Sequence, residues 1–353
     1  MSCHNLYIGS FQNSENAPIT RCEFDFANGD IRCLDSISAF RPSWLSAVSD
    51  SDKLLFLEEA NEINGKYGGS VGMLDVSGLK MNITSVKSIG AKGPTHISVF
   101  GRFAFLSCYS EGSLVQVEFS ESGEFSSVKE YRHSGSSVHP IRQTAPHVHF
   151  SLISPDNRYL AVCDLGIDQI LLYPIDSEKG IVGAPIINHT PAGAGPRHAV
   201  FSKDGRFLYV VTEMGCSVLV YEYSSSGILT LKQTVSTLPK DISVNSQCGA
   251  IRLSPCGNEL FVTNRGVDNI AFFKVEPDGN LTPSGSVNTE LWPRDAVFSP
   301  DGNWVICANQ KSDSLNIYSY GSDMSIPFSE RVRPEKIIRL PKNSAPCCLL
   351  FSC

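Results

Sequence analysis
Basic residues follow proline at a recurring place in this 353-residue chain: Pro94-Thr-His96, Pro146-His147-Val-His149, Pro196-Arg197-His198 and Pro293-Arg294. A second polar set closes the apolar stretches that come after: Glu59, Glu213, Arg265 and the pair Asn309-Gln310. Imidazole, with an unperturbed pKa near ~6.5, suits proton transfer at neutral pH. Guanidinium bonds carboxylate or phosphate through paired N–H donors and can face a developing oxyanion. Glu213 ends an apolar run, so it should be partly buried, and a buried carboxylate needs a partner, for which Arg197 and Arg265 are the candidates. That pairing could be purely structural, and any one histidine could simply hydrogen-bond a neighbouring element. Brought to one opening, however, these groups would combine general bases with anion clamps.

What must position them is a repeat. GPRHAVFSKDGRFLYVVTEMGCSVLVYEY (Gly195 to Tyr223), WPRDAVFSPDGNWVICANQKSDSLNIYSY (Trp292 to Tyr320) and APHVHFSLISPDNRYLAVCDLGIDQILLYPI (Ala145 to Ile175) are copies of one unit that returns about every 50 residues. Such a period marks a supersecondary unit stacked on itself. Each copy reads as four short strands, with a turn between the first two, Asp204-Gly205 and Asp301-Gly302 in the clearest copies, supplying the positive φ of a tight hairpin. Units start at Pro42, Pro94, Pro146, Pro196, near Cys248, Pro293 and Pro346. The last stops after one strand, and NLYIGSF, ITRCEFDF and DIRCLDS at the other end of the chain supply the three that are missing. The predicted fold is all-β: a seven-bladed propeller with four antiparallel strands per blade, one domain over residues 1–353, its last blade closed by N- and C-terminal strands. Closure removes open sheet edges. A sandwich does not repeat seven times, and a β-helix has shorter coils.

In such a blade the first strand lines the channel, and its start lies beside the end of the second strand. His96, His147, His149, Arg197, His198 and Arg294 are therefore expected at the same mouth as Glu59, Glu213, Arg265 and Asn309-Gln310. His147 and His149 should share one face of a strand, since side chains alternate. Asp164-Leu-Gly166 reads as a turn. The serines of Phe-Ser-x-Asp-Gly read as hairpin chemistry, no Gly-x-Ser-x-Gly elbow is present, and no spacing suggests a metal site, so neither metal nor cofactor is expected.

A net charge of −7 argues against nucleic-acid binding. No apolar run reaches the ~18 residues of a membrane span, and the opening residues lack the features of a secretory signal, so a cytoplasmic protein is expected. The twelve cysteines have no Cys-x-x-Cys spacing; Cys108, Cys163, Cys216 and Cys307 fall in apolar strands, where a reduced thiol behaves as a small hydrophobe.

These phrases resemble the seven-bladed propeller lactonase family, which includes propeller-type 6-phosphogluconolactonase and carboxy-muconate cyclase. The resemblance rests on APHVHFSLISPDNRYLAVCDLG, GPRHAVFSKDGRFLYVVTE, LFVTNRGVDNIAFFKVEPDGNLT and WPRDAVFSPDG, and covers essentially the whole chain. It implies an active site at one mouth using His149, Arg197, Glu213 and Arg265. The chain departs from the family pattern at Gly249-Ala-Ile-Arg252 and Ser107-Cys-Tyr109. The implied activity is hydrolysis of a sugar-acid lactone, 6-phosphoglucono-δ-lactone first. In that reading His149 is the base, Glu213 orients it or is itself the base, and Arg197 stabilises the oxyanion. Arg265, with Arg294, clamps the phosphate, while His147, His198 and His96 line the substrate site. The expected partner is a small anionic lactone, with neither nucleic acid nor membrane involved, and the protein a monomer or weak homo-oligomer. A muconate-type cyclase or isomerase could use the same groups, and a non-enzymatic propeller would bind proteins on its rim instead.

Overall fold
The serine of the repeated phrase builds the first turn of the blade. In four blades its hydroxyl accepts a hydrogen bond from the N–H five residues on: Tyr159 to Ser154 at 2.9 Å, Phe207 to Ser202 at 2.9 Å, Glu259 to Ser254 at 3.1 Å and Trp304 to Ser299 at 3.0 Å. The same hydroxyl donates to the following aspartate in three of them, Asp156, Asp204 and Asp301. These serines are structural, each bond contributing roughly 1 kcal/mol. Gly205 and Gly302 both turn at a φ of 72°, which glycine adopts without strain.

The computed structural model describes residues 3–239 and 245–352. Its strands form seven four-stranded antiparallel blades around a channel, with one additional two-residue strand beside the third blade and a small hairpin at Glu62–Ile63 and Lys66–Tyr67. In chain order, the innermost strands are Leu45–Ala47, Pro94–Phe100, Val148–Ile153, Pro196–Phe201, Gln247–Leu253, Pro293–Phe298 and Pro346–Ser352. Second strands such as Phe207–Thr212 are buried at every residue, because both faces meet neighbouring blades. Outer strands such as Leu229–Ser236 alternate, with one face in water.

The seventh blade joins the chain ends as expected. Pro346–Ser352 pairs with Cys3–Ser10, which pairs with Ala17–Asp25 and then Asp30–Ala39. Phe24 and Phe351 meet edge to face, as do Phe24 and Trp304 of the sixth blade. Burying such aromatic surface closes the ring without any covalent link. One expectation fails locally: Cys216 lies in the turn before Ser217–Tyr223, at a φ of 44°, and not in a strand. Among the described residues, no helix is long and apolar enough to cross a membrane.

Candidate active site
A β-bulge near the start of the inner strand decides which side chains reach the channel. Pairing with the second strand skips one residue in five blades: Thr95, His149, Arg197, Arg294 and Cys347. In the fifth blade it skips Gly249 and Ala250. A bulge re-aims a side chain and breaks strict alternation, so two consecutive residues can face inward. The bulges touch around the ring. Thr95 donates to the His149 carbonyl at 3.1 Å, Arg197 to the Gly249 carbonyl at 2.9 Å and the Cys347 thiol to the Ser43 carbonyl at 3.4 Å. Gly249 is required here, since a Cβ would lie 2.3 Å from the Thr263 hydroxyl.

Glu213 is the hub of this upper tier. Its Oε2 accepts from Arg197 Nε at 2.9 Å and Arg265 Nη2 at 2.8 Å, and its Oε1 from Arg142 Nη2 at 2.6 Å. Burial alone would raise its pKa, but Arg265 and Arg197 outweigh that and hold it well below the usual carboxylate range. Glu213 is thus ionised and saturated, and, among the described residues, it makes no hydrogen bond to His149. Burial and the charge of Arg265 bring Arg197 down to about 9, so it still carries its proton at neutral pH. Arg265 also donates to the Cys248 carbonyl at 2.6 Å. These three residues are each under 5% exposed and form the floor of the mouth.

The histidines divide between tiers. His149 is buried, with Nδ1 unpartnered, and burial together with Arg197 holds it neutral. His198 Nε2 accepts from Arg197 Nη1 at 2.9 Å, so its proton sits on Nδ1. His147 is half-buried, stacks on Tyr109 with ring centres 4.3 Å apart, and bonds its carbonyl through Nδ1 at 2.9 Å. His147 and His149, expected to share one strand face, both pack on Tyr109, which His149 meets edge to face at 5.7 Å. His96 departs from expectation more strongly. It follows the bulge at Thr95, pairs with Ser107, and packs 3.9 Å from Phe150 and 4.4 Å from Trp44, ring centre to ring centre. There it lines a 480 Å3 cavity in the opposite half of the channel with Arg252 and Ser151. The structure brings His149, Arg197, Glu213, Arg265, His147 and Arg294 to the mouth; His198 holds the same register position as His96 and reaches from Arg197 down to Phe150, 4.6 Å away ring centre to ring centre, and His96 lies below, 6.2 Å from His198.

Two arginines that the repeat pattern passed over complete the wall. Arg142 comes from the 133–147 loop and also donates to the Tyr109 hydroxyl at 3.1 Å. That loop is held by Asp164, fully buried and more than a turn residue: it accepts from the His147 N–H at 2.7 Å and contacts His133 Nδ1 at 2.7 Å. Gly166 lets the loop pass, since a Cβ there would lie 2.0 Å from the Ala145 carbonyl. Arg41 precedes its proline where the others follow theirs. Its guanidinium lies 5.0 Å from the centre of the Phe11 ring, and that of Arg294 lies 4.0 Å from the same ring. Among the described residues, Arg294 makes only a long 3.4 Å side-chain bond to Gln310, and Arg41 Nε has no partner. Glu59 stands near both, on a polar cavity of about 280 Å3 shared with Arg41, Asn13, Asn61 and Ser110. Five guanidiniums therefore meet three carboxylates at this mouth, Glu213, Glu59 and Glu62, a local positive excess in an acidic chain.

The closed propeller thus carries arginine and histidine from its bulged inner strands, and glutamate and arginine from the ends of its second strands, to one opening. The chain belongs to the seven-bladed β-propeller lactonase family, whose sequence model matches residues 5–325. The 6-phosphogluconolactonase of Bacillus subtilis is 30% identical over 78% of this chain and 79% of its own length. A protein of the same name from Formosa agariphila is 27% identical over 89% of this chain and 91% of its own length. The solved periplasmic gluconolactonase of Pseudomonas aeruginosa superposes with a TM-score of 0.89 at 29% identity, covering 100% of this chain and 99% of that one.

Proposed function
We propose that this lactonase hydrolyses a sugar-acid lactone carrying an anionic group, with 6-phosphoglucono-δ-lactone as its substrate. The observation that carries the reading is the excess of guanidinium at the mouth. Arg142, Arg197 and Arg265 are tied to Glu213, whereas Arg41 and Arg294 keep donors free. The two free arginines bind the phosphate, and Arg265 adds to the field that attracts it. Arg197, oriented by Glu213 and the Gly249 carbonyl, stabilises the oxyanion formed when water adds to the lactone carbonyl. His149, neutral and with a ring nitrogen unpartnered, positions that water. His147 and Tyr109 form a flat wall for the sugar ring. The name of the Bacillus subtilis relative supports this substrate. A cytoplasmic location belongs to the same reading, since a sugar phosphate does not cross a membrane unaided.

The test is a direct assay. Freshly prepared 6-phosphogluconolactone is mixed with the purified protein and its loss followed against spontaneous hydrolysis. The reading predicts a rate proportional to protein concentration. No excess over background refutes it, and muconate-type diacids assayed in parallel then examine the cyclase alternative.

A further inference from the structure
We infer that Glu59, not His149 or Glu213, carries the proton during lactone opening, from the edge of the polar cavity it shares with Arg41. This deepens, and rests on, the lactone-hydrolysis reading. Glu59 and Glu213 both end a second strand, but their surroundings are opposite. Glu213 spends both oxygens on three guanidiniums. Glu59 makes no ion pair within bonding distance among the described residues, and its buried Oε2 has no hydrogen-bond partner. Arg41 Nε, buried nearby, is unpartnered among the described residues as well, and the Ser43 hydroxyl faces Glu59. Orphaned buried groups at the edge of a cavity mark a place that a polar ligand fills.

The charged groups facing Glu59 come from several blades: Arg294, Arg41 and Arg197, with the Cys347 thiol in the same field and Glu62 on the far side of the cavity. Burial raises its pKa, and Arg294, the Ser43 hydroxyl, Arg41 and Arg197 only partly offset that. A carboxylate moved toward neutral pH is a better proton acceptor than one locked at low pKa, and environments that push two carboxylates apart separate their roles. His149 is driven the other way, by burial and then by Arg197, which makes it a weak base.

The step balances without any co-reactant. Ionised Glu59 takes a proton from water as the water oxygen bonds to the lactone carbonyl carbon, giving a tetrahedral oxyanion opposite Arg197. The intermediate collapses, the bond from carbonyl carbon to ring oxygen breaks, and Glu59 returns the proton to that oxygen. The product acid loses its own proton to solvent.

The experiment compares wild type, Glu59→Gln and His149→Ala on 6-phosphogluconolactone from pH 5 to 8, with inorganic phosphate binding by calorimetry as a check on folding. Glu59→Gln is expected to lower kcat by about 10²–10⁴-fold with KM little changed. Wild-type activity should fall as pH drops through the raised pKa of Glu59, and His149→Ala should keep that acid limb. A Glu59→Gln protein that binds phosphate and retains wild-type kcat overturns the inference, as does an acid limb that disappears with His149→Ala. Wild type inactive on the lactone overturns the hydrolysis reading, and this inference with it. Activity in wild type alone separates the two failures.

Discussion

Glu213→Gln perturbs the hub while keeping its shape. The substitution removes one negative charge from among Arg142, Arg197 and Arg265, two of which are fully enclosed. Breaking a buried charge network by deleting one partner costs about 3–5 kcal/mol, because the other charges stay behind unpaired. Glutamine retains one acceptor oxygen, so the lower end applies. With an unfolding entropy of ~2.1 cal/mol/K per residue, a chain of this length has roughly 0.7 kcal/mol/K in total, and the loss becomes a Tm drop of about 4–7 °C. Calorimetry at pH 7 reads it directly. The same variant should bind phosphate more tightly than wild type, since an anion can replace the lost carboxylate; at a hundredfold excess over Kd that restores ~2.7 kcal/mol, or about 4 °C. The pH dependence has a definite sign. Glu213 has a depressed folded pKa, so its stabilisation is present above the unfolded value near ~4.3 and is lost as pH falls through the folded one. Glu213→Gln should lack that part of the acid transition. A Tm within one degree of wild type, with no gain from phosphate, would refute the hub as described.

Arg41→Ala and Arg294→Ala should each raise KM for the phosphorylated lactone by roughly 10–100-fold, the worth of a charge-assisted hydrogen bond, while leaving KM for unphosphorylated gluconolactone nearly unchanged. Steady-state kinetics on the two substrates makes the comparison. His149→Ala should lower kcat more than it changes KM, without moving the acid limb of the pH profile. Gly166→Ala should misplace the loop bearing Arg142 and His147, because its Cβ would overlap the Ala145 carbonyl. A lower Tm together with a raised KM in that variant would show that the loop belongs to the site.

The ring was legible because each blade repeats its own turn chemistry: Ser202, Asp204 and Gly205 say where the first hairpin falls, and the closing strands at both chain ends follow from counting. The grouping of Arg197, Glu213 and Arg265 was legible too, since antiparallel pairing alone places a strand start beside the next strand's end. What could not be read was the bulge. A period of two predicts alternating faces, and the extra residue at Thr95 or His149 shows only in the pairing register. His96, expected at the mouth as a strand-start residue, follows such a bulge and, like His198, turns toward Phe150. Arg142 escaped notice because its loop belongs to no repeat, and Arg41 because it sits on the other side of its proline. Asp164 illustrates a last limit: nothing in Asp-Leu-Gly distinguishes a turn residue from the buried anchor of a loop.

The most direct measurement is a crystal structure of the protein with 6-phosphogluconate, the product of the proposed reaction. The account predicts phosphate oxygens between Arg41 and Arg294, with the product carboxylate at Arg197 and beside Glu59. Product seated instead in the opposite half of the channel, among Trp44, His96 and Arg252, would contradict it.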